Sequence, residues 1–372
     1  MNSFLEKIPG QLRVKKTLNT FLQTQKIPQA LLFVGIEGVG KFNAAIQFAK
    51  SLTNTIDSQN QSKAIREIEL LHEPYLKLIF ALPRGKNEDD SSSPTEKLTQ
   101  DEIDTIREQL ELKSNNSFYK IAIPKANTIK INSIRDIKRF LAMNYDDSSY
   151  RFIIISDAHF MNEEAQNSLL KSLEEPPRNV LFILTTSSLS KLRQTISSRC
   201  WKINFDPLLD NEVSNILVEN FKIEKELAED VAPFSYGSVI SALNLIEADF
   251  NQLKERTISL LRYSFGRKFQ SAFDQLAVLL NESNFESFNT VIRMIITWLN
   301  DIQRHRFGFK GIHFTNYMDT LDKFNRKFPD AQLIEMTSKL EKLSSLKQNN
   351  INPVILSSNL IFELASVVLN NR

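Results

Sequence analysis

Residues 151–201, RFIIISDAHFMNEEAQNSLLKSLEEPPRNVLFILTTSSLSKLRQTISSRCW, decide the fold. Phe152 to Ile155 is a run of bulky, mostly β-branched residues, the pattern of a strand covered on both faces in a parallel sheet, and Val180 to Leu184 repeats it. Between them the spacing predicts a helix. Asn162 stands at its N-cap, Glu163 and Glu164 favour the positive end of its dipole, Ala165, Leu169 and Leu173 share one face, and Pro176-Pro177 forbids its continuation. Strand, helix and strand form one βαβ unit, which runs on into Ser197-Ser198-Arg199-Cys200.

Upstream, a second context carries chemistry. A helix-like stretch to about Gln25 leads to an apolar strand, Leu31 to Val34, which runs directly into Gly35-Ile36-Glu37-Gly38-Val39-Gly40-Lys41-Phe42 and then an apolar helix from Asn43 to about Leu52. Strand, glycine-rich loop and helix are what a phosphate-binding loop requires. Gly35, Gly38 and Gly40 let backbone N–H groups turn toward a phosphate, Lys41 reaches the outer phosphates, and the helix amino terminus adds partial positive charge. The bland alternative is a glycine turn with a chance lysine, and the flanking elements argue against it. The last position departs from the pattern: a working loop places Ser or Thr after the lysine to ligate magnesium, and Phe42 has no oxygen to offer.

Composition bounds the rest. The 372 residues suffice for two or three domains with their own cores, and 42% apolar and 24% charged residues are ordinary globular values. A formal charge of only +2 implies that any grip on nucleic acid is shared with other subunits. The single cysteine, Cys200, excludes an internal disulfide and a four-cysteine zinc site, and reads as a small buried apolar residue. Without an apolar leader or a run of membrane-spanning length, the chain reads as soluble and cytoplasmic. His72, a lone histidine, reads as packing or capping a turn rather than as a ligand, and His159 as a structural histidine at a strand end. Residues 84–99, charged and serine-rich, read as a mobile surface loop, while Ile134, Ile137 and Leu141 predict an amphipathic helix opening near Lys130.

The segment LLKSLEEPP followed by SSRC resembles the bacterial DNA polymerase III clamp-loader branch of the AAA+ ATPases, the subunits that open a ring-shaped sliding clamp and place it on primed DNA. Within it the chain is most similar to the delta-prime class. The motifs cover the first two thirds of the chain. The resemblance implies an α/β P-loop (AAA+, RecA-like) domain with a parallel sheet over residues 1–206, a small helical lid over 207–249 beyond Pro207, and an all-α collar over 250–372. The apolar residues at helical spacing from Phe250 onward, interrupted near Gly308 to His313, support by themselves only a helical bundle.

It also assigns roles. The segment around Ile8, Gly10 and Gln11 is expected beside the adenine. The second nucleotide motif needs an aspartate for magnesium and a glutamate to orient water, and the alignment places Ser156 and Asp157 there; a one-residue slip makes Asp157 the metal aspartate but leaves Ala158 as the base. Thr185 and Thr186 resemble the polar sensor of the outermost phosphate, Thr186 aligning best. In the lid, Ile240 replaces an arginine that touches nucleotide, and the four zinc cysteines usual in active subunits are missing. The resemblance implies that Arg199 of the SRC motif is the retained element, an arginine finger for a neighbour's ATP site; the alternative is an arginine salt-bridged on a surface turn.

A chain that keeps what acts on its neighbour and loses what acts on its own nucleotide is expected to be a non-hydrolysing stator. It would need no cofactor and no zinc, have no intrinsic ATPase activity, and belong to a DNA-directed DNA polymerase holoenzyme. Its partners would be gamma/tau-type ATPases and the delta subunit, with sliding clamp and primed DNA reached through the complex, and no membrane. Lys41 leaves residual binding of ATP and magnesium open. The rival expectations are an ATP-hydrolysing gamma/tau-type motor of the same loader and an unrelated P-loop nucleotide-binding protein.

Overall fold

The computed structural model describes residues 3–56, 60–89, 92–142, 150–280, 285–345 and 353–366. The chain divides into two compact units, Met1–Ala228 with Tyr236–Ser241, and Glu229–Ser235 with Ala242–Arg372. Residues 207–249 are thus shared between them.

The first unit opens with α1 (Ser3–Glu6) and α2 (Leu12–Thr24), then β1 (Ala30–Val34), α3 (Lys41–Thr53), α4 (Gln61–Glu69) and β2 (Leu76–Ile79). It continues through α5 (Gln100–Asn115), α6 (Ile131–Ala142), β3 (Arg151–Ile155), α7 (Glu163–Glu174), β4 (Val180–Thr186), α8 (Gln194–Ser197), β5 (Trp201–Asn204) and α9 (Asp210–Phe221). The five strands form one parallel sheet in the order β2-β3-β4-β1-β5. Strand β3 pairs with β4 in the register Ile153 to Phe182, so the sequence-predicted βαβ unit closes on itself. Both strands are buried along their lengths, as their unbroken apolar runs demand.

Helix α7 forms for the local reasons read from its sequence. The Asn162 side chain accepts the Ala165 N–H at 2.9 Å, and Ala165, Leu169 and Leu173 are buried against the sheet. They join Ile134, Ile137 and Phe140 of α6 over Ile153, Ile155, Phe182 and Leu184. Helix α5 starts in a capping box in which Thr99 accepts the Glu102 N–H and the Glu102 carboxylate accepts the Thr99 N–H at 2.8 Å. Its stripe of Ile103, Ile106 and Leu110 packs with Leu82 and Leu98 in a small separate cluster.

The described residues of 84–99 form no helix or strand, as expected of a surface loop, but the segment is tied to the domain at Leu98 and Glu88. Leu98 is buried, and the Glu88 carboxylate, itself nearly inaccessible, accepts hydrogen bonds from Gly85 N–H, Lys130 Nζ and Asn132 Nδ2 at 2.8, 2.8 and 2.6 Å. Lys130 Nζ also donates to the carbonyls of Pro83 and Pro94. One buried carboxylate with three donors fastens the segment, which a count of charged and serine residues cannot reveal. Asp90 and Ser91 lie outside the described residues.

Helices α10 (Lys225–Val231) and α11 (Val239–Glu247) run across the division between the units. The second unit is otherwise helical, as the apolar spacing implied: α12 (Phe250–Phe265), α13 (Phe269–Leu279), α14 (Phe285–Arg306), α15 (Met318–Lys327), α16 (Leu333–Ser345) and α17 (Pro353–Ser366). Its core is built around the fully buried Trp298, with the rings of Phe265 and Phe324 at 5.7 and 5.2 Å. Among the described residues no helix is long and apolar enough to cross a membrane.

Candidate functional site

In an open parallel sheet the crevice at the carboxyl ends of the strands is where ligands bind, because loops and helix amino termini converge there. A cavity of about 140 Å³ lies at that edge. It gathers the glycine-rich loop after β1, Ser156 and Asp157 after β3, and Thr185 in β4. Gly38, Gly40, Lys41 and Phe42 line it, and so does Ile240 at the start of α11. Residues far apart in sequence therefore meet at this edge of the sheet. Gly35 and Thr186 are not in the lining. The hydroxyl of Thr186 is buried, accepts the Ser188 N–H at 3.1 Å and lies 3.3 Å from His159 Nδ1, whereas Thr185 Oγ1 accepts the Asp157 N–H at 3.0 Å. Neighbours along a strand face opposite ways, so only one of the two threonines can border the cavity.

Gly38 is required by a close approach. It sits at φ 79°, and a Cβ there would fall 2.7 Å from the Ile240 backbone nitrogen. Its carbonyl accepts the Val239 N–H, joining the loop to the α11 start. The Gln11 side chain braces the other side, donating to the carbonyls of Val39 and Asp206 while accepting the Asp206 N–H. Ile8 is buried, and Gly10 borders a second cavity of about 540 Å³.

The electrostatics are set by two buried lysines. Lys41 Nζ donates to the carbonyls of Gly35 and Ile36 at 2.7 Å each, turned back onto its own loop. Burial lowers its ammonium to about 8, against the pull of Asp157 and Glu37. Lys113, in the last turn of α5, donates to the carbonyls of Ser117 and Tyr119 at 2.8 and 2.5 Å and lies 4.2 Å over the Phe42 ring. Burial lowers it further, to about 7. The Phe118 ring packs on the loop, at 3.3 Å from where a Gly40 Cβ would stand. Phe42, Phe118 and Lys113 border both cavities and so form the wall between them.

Lys113 and Phe118 were not singled out from the sequence. A signal existed in Lys113, which continues the apolar stripe Ile103, Ile106, Leu110 at helical spacing, where a cation is out of place. Phe118 left no such signal.

These residues test what the cavity can hold. A divalent cation needs oxygen ligands, and the position that should supply one is a buried phenyl ring with an ammonium above it, which adds repulsion. A phosphate meets two lysines and the first N–H groups of α3, which have no intrahelical acceptor. A cavity of about 140 Å³ is small beside the roughly 300–1,000 Å³ usual for cofactor-sized ligands.

Arg199 lies away from this cavity. Its Nη1 donates to the Thr195 carbonyl at 2.9 Å and its Nη2 meets Glu174 Oε1, the last residue of α7, at 2.6 Å. Both side chains are exposed, and such pairs contribute only about 0–1 kcal/mol, so the guanidinium is readily released. Cys200 beside it is buried, and burial pushes its thiol up to about 12. His159 is lowered by burial despite Asp157 nearby, consistent with a neutral structural ring between Thr186 and Ser187. His72 is exposed and hydrogen-bonds Glu67 at 3.1 Å, so only its backbone serves the turn after α4.

The sequence profile of the family described as DNA polymerase III, delta subunit, matches residues 10–209, more than half of the chain. The chain belongs to this family. Its relatives are similar at a distance. The DNA polymerase III subunit gamma of Buchnera aphidicola is 28% identical over 247 residues, 65% of this chain and 57% of that one. The subunit gamma/tau of Mycoplasma genitalium is 25% identical over 354 residues, 92% of this chain and 48% of that one. The subunit delta′ of Bacillus subtilis is 24% identical over 290 residues, 77% of this chain and 75% of that one. The chain thus spans about half the length of the first two. The membership agrees with the LLKSLEEPP and SSRC motifs, and the family match spans the predicted nucleotide-site residues except Ile8 and Ile240.

Proposed function

We propose that this chain is a delta-prime-type stator of the DNA polymerase III clamp loader, a member that does not hydrolyse ATP and presents Arg199 to the nucleotide of an adjacent gamma/tau-type ATPase. The observation that carries the reading is the buried Phe42 ring beneath the Lys113 ammonium, at the position where a hydrolysing site needs a metal-binding hydroxyl. Ile240 in the lining supports it, since no arginine reaches the cavity from α11. In this proposal neither magnesium nor zinc is held, residual phosphate binding rests on Lys41 and the α3 amino terminus, and residues 207–249 and 250–372 act as lid and collar. The exposed Phe269 and Phe362, with rings 5.6 Å apart on α13 and α17, offer the second unit an apolar surface for a neighbouring subunit. The delta subunit, sliding clamp and primed DNA are partners through the assembly, in the cytoplasm.

A second reading, a gamma/tau-type motor, is favoured by the gamma and gamma/tau relatives. ATP turnover by the reconstituted loader on primed DNA separates the two. The stator reading expects Arg199→Ala to slow turnover by about 10³-fold and Lys41→Ala to leave it unchanged. A loss with Lys41→Ala and none with Arg199→Ala would establish the motor instead.

A further inference from the structure

The carboxyl end of α14 carries a feature that the clamp-loader reading does not use. Phe307 and Phe309, in the run Arg304-His305-Arg306-Phe307-Gly308-Phe309-Lys310-Gly311, are 68% and 65% exposed. Large apolar side chains this exposed, as a pair on one tip, usually mark an interaction site. The tip is held firmly. Gly308, at φ 69°, donates to the His305 carbonyl and Phe309 N–H donates to the Arg304 carbonyl, the bond pair of a Schellman helix end.

In that motif the residue after the glycine normally packs back on the last turn of the helix. Here the residue it would cover is Arg304, whose guanidinium is occupied with the Gly311 carbonyl and the His313 ring. The far foot of the loop is fixed by Asp301, a fully buried carboxylate that accepts the N–H groups of His313 and Phe314 at 2.8 Å each. The two rings are therefore left in solvent on a pinned loop. Their centroids are 6.2 Å apart, close to the roughly 6.8 Å that separates two rings with one base between them at ~3.4 Å per layer. Exposed rings rotate on the ps–ns scale, so their 42° tilt adjusts on contact.

The surrounding charge selects the occupant. Residues 304–328 carry six Lys and Arg against two Asp, a formal +4, although the whole chain carries only +2. Asp322 is occupied by Arg326, and among the described residues no carboxylate pairs with Lys310 or Lys323. Aromatic side chains on which bases stack, set among cations that track phosphates, are the composition of a single-strand platform. We propose that the Phe307–Phe309 tip and the basic residues around it bind single-stranded nucleic acid without sequence preference, by base stacking.

Fluorescence anisotropy of a labelled oligo-dT of about 20 nucleotides with the full chain tests it, at about 50 mM and about 200 mM salt. Binding is expected at the lower salt and weaker at the higher. The paired variant Phe307→Ala with Phe309→Ala should weaken it about tenfold or more, while Phe307→Tyr with Phe309→Tyr should stay within about twofold. Both pairs of changes lie at exposed positions, so circular dichroism and Tm should match the unmodified chain. The proposal is overturned if the chain does not bind the oligonucleotide, if the alanine pair binds as well as the original, or if a poly-glutamate peptide is the probe whose binding the alanine pair abolishes.

Discussion

Replacing Lys113 by methionine should remove a pH dependence of stability from the first unit. In the folded chain the Lys113 ammonium is buried, is hydrogen-bonded to the Ser117 and Tyr119 carbonyls and lies over the Phe42 ring; burial lowers it to about 7. An unfolded lysine holds its proton to about pH 10.4. From pH 7 to 10 the unfolded state therefore binds more protons, and stability rises with pH, because folding costs less once the ammonium is neutral. For a group moving from about 10.4 to about 7, the gain between pH 6 and pH 8.5 is about 2 kcal/mol. Lys41, lowered to about 8, adds under ~1 kcal/mol in the same direction and remains in the variant. Urea midpoints and m values read by circular dichroism at both pH values measure the effect. Lys113→Met should gain on the original chain by about 2 kcal/mol on going from pH 8.5 to pH 6. Its absolute stability also reflects two carbonyls left without a donor, which is why the difference between pH values is the readout. If the gap between the two chains is the same at both pH values, Lys113 keeps its proton throughout and the account of the buried ammonium fails.

Two other outcomes follow from buried or capping groups. Glu88→Ala should cost about 3 kcal/mol by leaving Lys130 without its carboxylate, and should speed proteolysis within residues 84–99. Burial alone would raise the Glu88 carboxyl, but Lys130, the Gly85 N–H and Asn132 outweigh it and hold it below the ordinary range. Its contribution is therefore present above the usual carboxylate pKa and lost as pH falls through the lowered value, and an acid titration of proteolysis should show this in the original chain alone. Asn162→Ala should lower stability by about 1 kcal/mol, read as a fall in Tm without change in the far-ultraviolet spectrum at low temperature.

The elements were legible because their causes are local. Asn162 caps α7 through its neighbour three residues on, the apolar runs of β3 and β4 call for cover on both faces, and the glycine-rich loop lies between its strand and helix. Residue chemistry alone removed the metal-binding hydroxyl at Phe42, and the paired motifs named the family. Which of two adjacent threonines borders the cavity was not legible, because a strand's register against its neighbours decides it: Thr185 is there and Thr186 is not. Nor was the closure of residues 84–99, whose charged composition signals solvent until Lys130 and Asn132, some forty residues on, meet Glu88. The sequence by itself determined a parallel βαβ scaffold with a loop unable to ligate magnesium in the usual way. Only the tertiary structure decided that Lys113 and Phe118 wall in that loop, since burial and charge at a point in space are sums over groups that the chain order keeps apart.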